Sequence, residues 1–206
     1  MRSWTIRYPN VVALSLVALS AIAVGGLSAD TGPSMEGARS AKQKVAEIAQ
    51  FADRPVRQPH RTTVTEHEVN SYLRFEAGAQ IPSGVVDPAI TIVGAGRVSG
   101  RVLVDLDAVR KQNSQRSLFD PMSYVTGRVP VTATGILKAS NGVGRFEFEN
   151  AAIGPVPVPK LVLQEIVSYY SRTPEKPAGI ALDDPFTLPA GIREIVVQAG
   201  RAVVVQ

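Results

Sequence analysis

Between residues 89 and 149 apolar and polar side chains alternate with a period of two, the signature of strands with one buried face. Ile90 and Ile92 face one way, and after a Gly94-Ala95-Gly96 break Val98, Val102, Val104 and Leu106 continue that face. Arg97, Ser99, Arg101, Asp105 and Asp107 take the other, so a half-buried antiparallel pair is predicted. The alternation stops over 108–124, a largely polar stretch, and then resumes. Val129, Val131, Ala133 and Leu137 oppose Arg128, Thr132, Thr134 and Lys138. Asn141-Gly142 is a strong two-residue hairpin signal, and the return strand sets Phe146 and Phe148 against Arg145, Glu147 and Glu149.

Helical spacing frames these strands. Over 35–52, Ala38, Ala41, Val45, Ile48, Ala49 and Ala52 share one face, which is alanine-rich; a loosely docked helical stalk is expected, followed by a proline-bearing connector over 53–62. Thr65 and Glu68 have capping-box spacing, Val64 and Val69 have staple spacing, and Val69, Tyr72 and Leu73 form an apolar stripe before Gly78. This predicts a helix over 66–77. Pro155, Pro157 and Pro159 end the sheet segment, and a further helix is predicted from Lys160 to Ser171, with Leu163, Ile166, Val167 and Tyr170 on its buried stripe. Strands over 192–198 and 201–205, turning at Ala199-Gly200, close the chain. The order argues an α+β fold: a long, curved antiparallel sheet wrapped around two helices.

The first residues change the setting. Arg2 and Arg7 precede an uncharged apolar run, Val11–Leu27, with small residues behind it. That pattern predicts a signal peptide or membrane anchor over 1–29, a stalk and connector over 30–62, and a folded domain over 63–206. Either outcome puts the domain in the periplasm or outside the cell, secreted or held at the inner membrane by 11–27. Without Arg2 and Arg7 the formal net charge falls from +4 to +2, so the basic balance is a small surplus rather than a nucleic-acid-binding face. Arg54, Arg57, His60 and Arg61, interleaved with Pro55 and Pro59, read as a solvated connector or as a contact with anionic headgroups at a membrane surface. With 206 residues and no cysteine, a disulfide framework, thiolate metal site, cysteine nucleophile and lipidated cysteine are all excluded.

Candidate chemistry is sparse. Asp105 and Asp107 share a strand face but lack further ligands, and Asp183-Asp184 before Pro185 reads as a loop start or cap. Gly94-Ala95-Gly96 with Gly100 is followed by a strand rather than the helix that a dinucleotide fingerprint needs. His67 lacks the second histidine of the zinc-protease motif, and no G-x-S-x-G elbow occurs. Tyr169 and Tyr170 read as core packing with hydroxyls at the rim. No enzyme, metal site or cofactor is expected.

The stretch Thr65-Glu66-His67-Glu68-Val69-Asn70-Ser71-Tyr72-Leu73 resembles the helix that opens small TULIP-like (tubular lipid-binding) proteins of bacterial envelopes. Val104-Asp105-Leu106-Asp107 before a polar break, and Phe186-Thr187-Leu188-Pro189-Ala190-Gly191-Ile192 before a closing strand pair, are similar too. The resemblance covers residues 63–206 and implies a curved sheet around helices, with an apolar groove for acyl chains. Some members of that family are lipoproteins, but the leader here has no cysteine. The expected lining is Val69, Leu73, Val102, Val104, Leu106, Val129, Val131, Phe146, Phe148, Leu163, Ile166, Val167 and Tyr170. The ligand is then a lipid or other acyl-chain molecule, not a nucleic acid. The alternative is an envelope scaffold with a solid core, which uses the apolar strand Arg201–Val205 as an exposed edge.

Overall fold

The computed structural model describes residues 32–53, 58–82, 84–108, 126–170 and 176–206, without the side chains of Ile166, Tyr169 and Tyr170. The leader over 1–29 and nearly all of the polar break lie outside these residues. In chain order the elements are α1 (Met35–Ala52), β1 (Arg61–Thr65), α2 (Glu66–Phe75), β2 (Val85–Gly94), β3 (Arg97–Asp105), β4 (Arg128–Ser140), β5 (Val143–Ile153), β6 (Val156–Val158), α3 (Lys160–Tyr170), β7 (Phe186–Thr187), β8 (Glu194–Gln198) and β9 (Arg201–Val205).

The chain is mixed α and β, and its largest element is an antiparallel sheet in the order β2-β3-β4-β5-β6, with β7 pairing the start of β5. Register places Val85, Ile90 and Ile92 of β2 level with Val104, Gly100 and Val98 of β3. These match Val129, Ala133 and Gly135 of β4. A register shift between Thr134 and Gly135 absorbs one extra residue of β5, so that Phe146, Phe148, Ala151 and Ile153 all keep to the apolar face. The Asn141-Gly142 turn forms as the sequence predicts, with φ of 53° and 78°.

A second, three-stranded sheet has the order β1-β9-β8. It contains β1, where the sequence suggested the end of a connector. It also corrects the reading of Arg201–Val205 as an exposed edge. This strand is central, and Ala202 and Val204 are fully buried. The two sheets meet through main chain. Gly96 N donates to Val197 O (3.3 Å), Gly200 N to Ile92 O (2.8 Å) and Gly142 N to Arg193 O (2.9 Å). At Gly94 (φ 109°) a Cβ would lie 2.9 Å from Ala199 N, so the Gly94-Ala95-Gly96 turn serves close backbone approach.

Around this joint lies the core: Ile48, Val64, Val69, Leu73, Ile92, Leu137, Ile192, Ile195, Val197 and Val204, with Val98, Phe146 and Phe186 packed against it. Each fully buried aliphatic side chain contributes about 1.5–3 kcal/mol. The capping box of α2 is present in full, with Thr65 and Glu68 as its two members. Two carboxyl and amide groups of α2 also close the free edge of β2. Asn70 Nδ2 donates to Ile90 O (2.8 Å), Asn70 Oδ1 accepts from Ile90 N (2.7 Å), and Glu66 Oε2 accepts from Ile92 N (2.7 Å). Further along that edge stand Pro88, which has no N–H, and Asp87 at φ 46°.

Helix α1 is not the loose stalk that its alanines suggest. Ala38 and Ala41 are fully buried, and Ile48 nearly so. Small residues bring α1 and α2 close. A Cβ on Gly37 would lie 2.6 Å from Ser71 Oγ and 2.7 Å from His67 Nε2. Polar groups then bind the pair. Ser34 N donates to Ser71 Oγ (3.0 Å), Ser34 Oγ bonds His67 Nε2 (3.0 Å), and Ser40 Oγ and Lys44 Nζ both donate to Glu68 Oε1 (2.5 and 3.0 Å).

Candidate functional site

The apolar face of the large sheet is longer than the core it helps to build. At the hairpin end, Ile92, Leu137 and Ala139 are buried against β1, β8, β9 and α2. Toward the other end, Val102 opposes Val131 and Val104 opposes Val129, and Val85 lies level with Val104. These valines are only half-buried and stand outside the core cluster. Ala151 is buried, and beyond it Ile153 is exposed at the β5–β6 turn.

The predicted lining therefore falls into two groups. Val69 and Leu73 lie inside the protein's own core, and Phe146 packs against it. Val102, Val104, Val129, Val131 and Phe148 form the half-buried continuation of the sheet face, with Leu106 half-buried in a helical turn over 106–108. Leu163 and Val167 are half-buried on α3, which packs against β5. The side chains of Ile166 and Tyr170 lie outside the described residues. Periodicity assigns all of these to one apolar surface; only the position of the small sheet decides which are enclosed.

Helix α3 is strapped to the loop that follows it. Leu182 N donates to Gln164 Oε1 (2.7 Å), Gln164 Nε2 donates to Ile180 O (3.2 Å), and Lys160 Nζ meets Asp183 Oδ2 (2.6 Å). Asp184 Oδ2 accepts from Ala181 N (3.1 Å), and Asp184 N donates to Ala181 O (3.1 Å), so its carboxylate closes the 181–184 turn and caps no helix. At Gly179 an added Cβ would collide with the backbone of Ser168, so the loop runs tight against α3.

No family model, curated protein or solved structure matches the chain. Its chemistry is therefore read from its own side chains. Asp105 ends β3, and Asp107 lies in the following helical turn rather than on a shared strand face. Asp105 Oδ1 accepts from Ala108 N (3.0 Å) and Oδ2 from Arg128 Nε (3.4 Å). The Ala108 amide first, and Arg128 after it, hold its carboxyl below the usual range. Asp107 Oδ2 accepts from Gly127 N (3.0 Å). These carboxylates tie chain segments together. Among the described residues no group of three or more His, Asp or Glu side chains is placed to hold a metal ion. Ser34 and His67 are in contact, but Ser34 Oγ also accepts from Gly37 N as the N-cap of α1. That engagement makes the serine part of the α1–α2 joint. Among the described residues no helix is long and apolar enough to cross a membrane.

Proposed function

We propose that the protein is a non-enzymatic, TULIP-like lipid-binding protein of the cell envelope. In this reading the acyl chain lies in an apolar groove between the large, curved sheet and its helices. The site is the half-buried stretch bounded by Val102, Val104, Val129, Val131 and Phe148, with α3 as its cover. The observation that carries the reading is the mismatch between the apolar face and the core. The face runs on past the small sheet as aliphatic side chains that the core cluster does not include. Aliphatic lining suits hydrocarbon, since each methylene taken from water contributes about 0.8 kcal/mol. The leader-like run Val11–Leu27 supports a periplasmic or secreted location, with or without an inner-membrane anchor.

The test is extraction of the purified protein and mass spectrometry of co-purifying lipid, with a fluorescent fatty-acid probe in parallel. Wild-type protein carries lipid and binds the probe. Val104→Asp puts a charge on the half-buried face and lowers loading while far-UV circular dichroism is retained. Wild-type protein that is empty and ignores the probe overturns the proposal. Full loading in a folded Val104→Asp variant removes this face from the site.

A further inference from the structure

The decapeptide 153–162, Ile-Gly-Pro-Val-Pro-Val-Pro-Lys-Leu-Val, holds a single charge and is largely exposed. Val156 is 61% exposed, Leu161 74% and Val162 48%. It forms the β5–β6 turn, strand β6 and the first turn of α3. Exposed apolar clusters of this kind mark interaction sites. Three features of the molecule choose the occupant. First, β6 is the outer strand of the sheet, yet Pro155, Pro157 and Pro159 lack N–H groups, so its free edge is a poor template for another chain's strand. Second, the exposed side chains are aliphatic. The stretch has none of the Trp, Tyr or Arg that anchor protein interfaces, and its aliphatic groups need no hydrogen-bonding partner. Third, the uncharged run Val11–Leu27 ends seven positions before Ser34, whose N–H is fixed on Ser71 Oγ. A bilayer holding that run keeps Ser34 within about 25 Å of its surface and so holds the domain beside the membrane.

We propose that residues 153–162 are a membrane-inserting tip, with Val156, Leu161 and Val162 entering the acyl boundary of a lipid surface. Three prolines stiffen the tip, so little order has to be imposed on insertion. Lys160 is shared with Asp183 (2.6 Å), so the aliphatic groups rather than charge carry the contact. The inference rests on surface exposure and goes beyond the acyl-chain reading; either stands if the other fails.

The chain has no native cysteine, which permits single-site labelling of the full-length protein. Val156→Cys and Leu161→Cys carry an environment-sensitive fluorophore. Val93→Cys, exposed beside the β2–β3 hairpin, is the reference. Each is mixed with phosphatidylcholine–phosphatidylglycerol vesicles, with and without a spin-labelled lipid quencher. The expected result is a several-fold emission rise and quenching at 156 and 161, neither at 93, and loss of quenching at 156 when Leu161→Asp is added to a chain of unchanged circular dichroism. Absence of quenching at 156 and 161, equal quenching at 93, or indifference to Leu161→Asp overturns the proposal. Protein that is purified empty and ignores the fatty-acid probe, yet whose tip is quenched, overturns the acyl-chain reading and leaves this one standing.

Discussion

Glu68 is the side chain on which the α1–α2 joint most depends, and Glu68→Gln tests that. One carboxylate oxygen, Oε1, accepts from Ser40 Oγ (2.5 Å) and Lys44 Nζ (3.0 Å). The other, Oε2, accepts from Thr65 Oγ1 (2.7 Å) and Thr65 N (3.3 Å). A carboxamide has one accepting oxygen. Whichever way it turns, its NH2 faces one group that can only donate, Lys44 Nζ on α1 or Thr65 N at the cap of α2, while the hydroxyls of Ser40 and Thr65 can turn to accept. The side chains of Lys44 and Glu68 are only 15% and 12% exposed, so water compensates poorly for the loss. A hydrogen bond to a charged group contributes about 1.5–3 kcal/mol, and an unpaired buried partner adds to the penalty. After local relaxation the expected destabilisation is about 2–4 kcal/mol. Lys44→Met leaves the Ser40 and Thr65 donors on the carboxylate and should cost less, about 1.5 kcal/mol, the low end of that range. Urea unfolding followed by circular dichroism measures both. Limited trypsin digestion reads the joint itself, because Arg39, Lys42 and Lys44 lie on α1 and should be cut faster in Glu68→Gln. A Glu68→Gln protein within about 0.5 kcal/mol of wild type, or a Lys44→Met loss as large as that of Glu68→Gln, refutes the reasoning.

Asn70→Leu frees Ile90 N and Ile90 O on the β2 edge; about 2–3 kcal/mol of stability should be lost, and sedimentation should show more self-association than in wild type. The pH response follows from Asp105 and Glu149, whose carboxyls sit below their ordinary values. The Ala108 amide and Arg128 cause this at Asp105, and Arg97 at Glu149 through two 2.8 Å bonds. A folded pKa below the unfolded one gives stability that is present at neutral pH and disappears as pH falls, here below about pH 4. The double variant Asp105→Asn, Glu149→Gln should therefore lose less stability than wild type between neutral pH and about pH 3 in urea titrations; an unchanged loss contradicts the assignment.

Sequence legibility followed the range of the forces involved. The α2 cap, the Asn141-Gly142 turn and the alternation through β3, β4 and β5 are set by neighbours a few residues apart, and all were readable. Strand β1 was not. Its Arg-Thr-Thr-Val-Thr sequence lies behind a proline connector, and it is a strand because β9, far along the chain, pairs with it. The start of β2 was hidden by Asp87-Pro88, which reads as a break but forms an irregularity within the strand. The alanines of α1 implied thin packing, whereas small residues allow a close helix crossing fastened by Ser34, Ser40 and Lys44. At the candidate site the apolar positions were visible as one set. Their division into Val69 and Leu73 inside and Val102, Val104, Val129 and Val131 at the margin depends on where the small sheet ends, which no local pattern encodes.

The joint between the two sheets is fastened by amides and carbonyls at Gly96, Gly142 and Gly200 as well as by the packed side chains of the core. The main-chain part of this seam is nearly blind to the identity of the exposed residues along the strands but exacting about the number of residues in each turn. Mutational drift can rewrite the exposed letters of β3, β4 and β8 while the architecture persists, whereas inserting one residue into the 94–96, 141–142 or 199–200 turns should pull the halves apart. Loop-length scanning, more than alanine scanning, is the route by which the tolerance of this scaffold becomes visible.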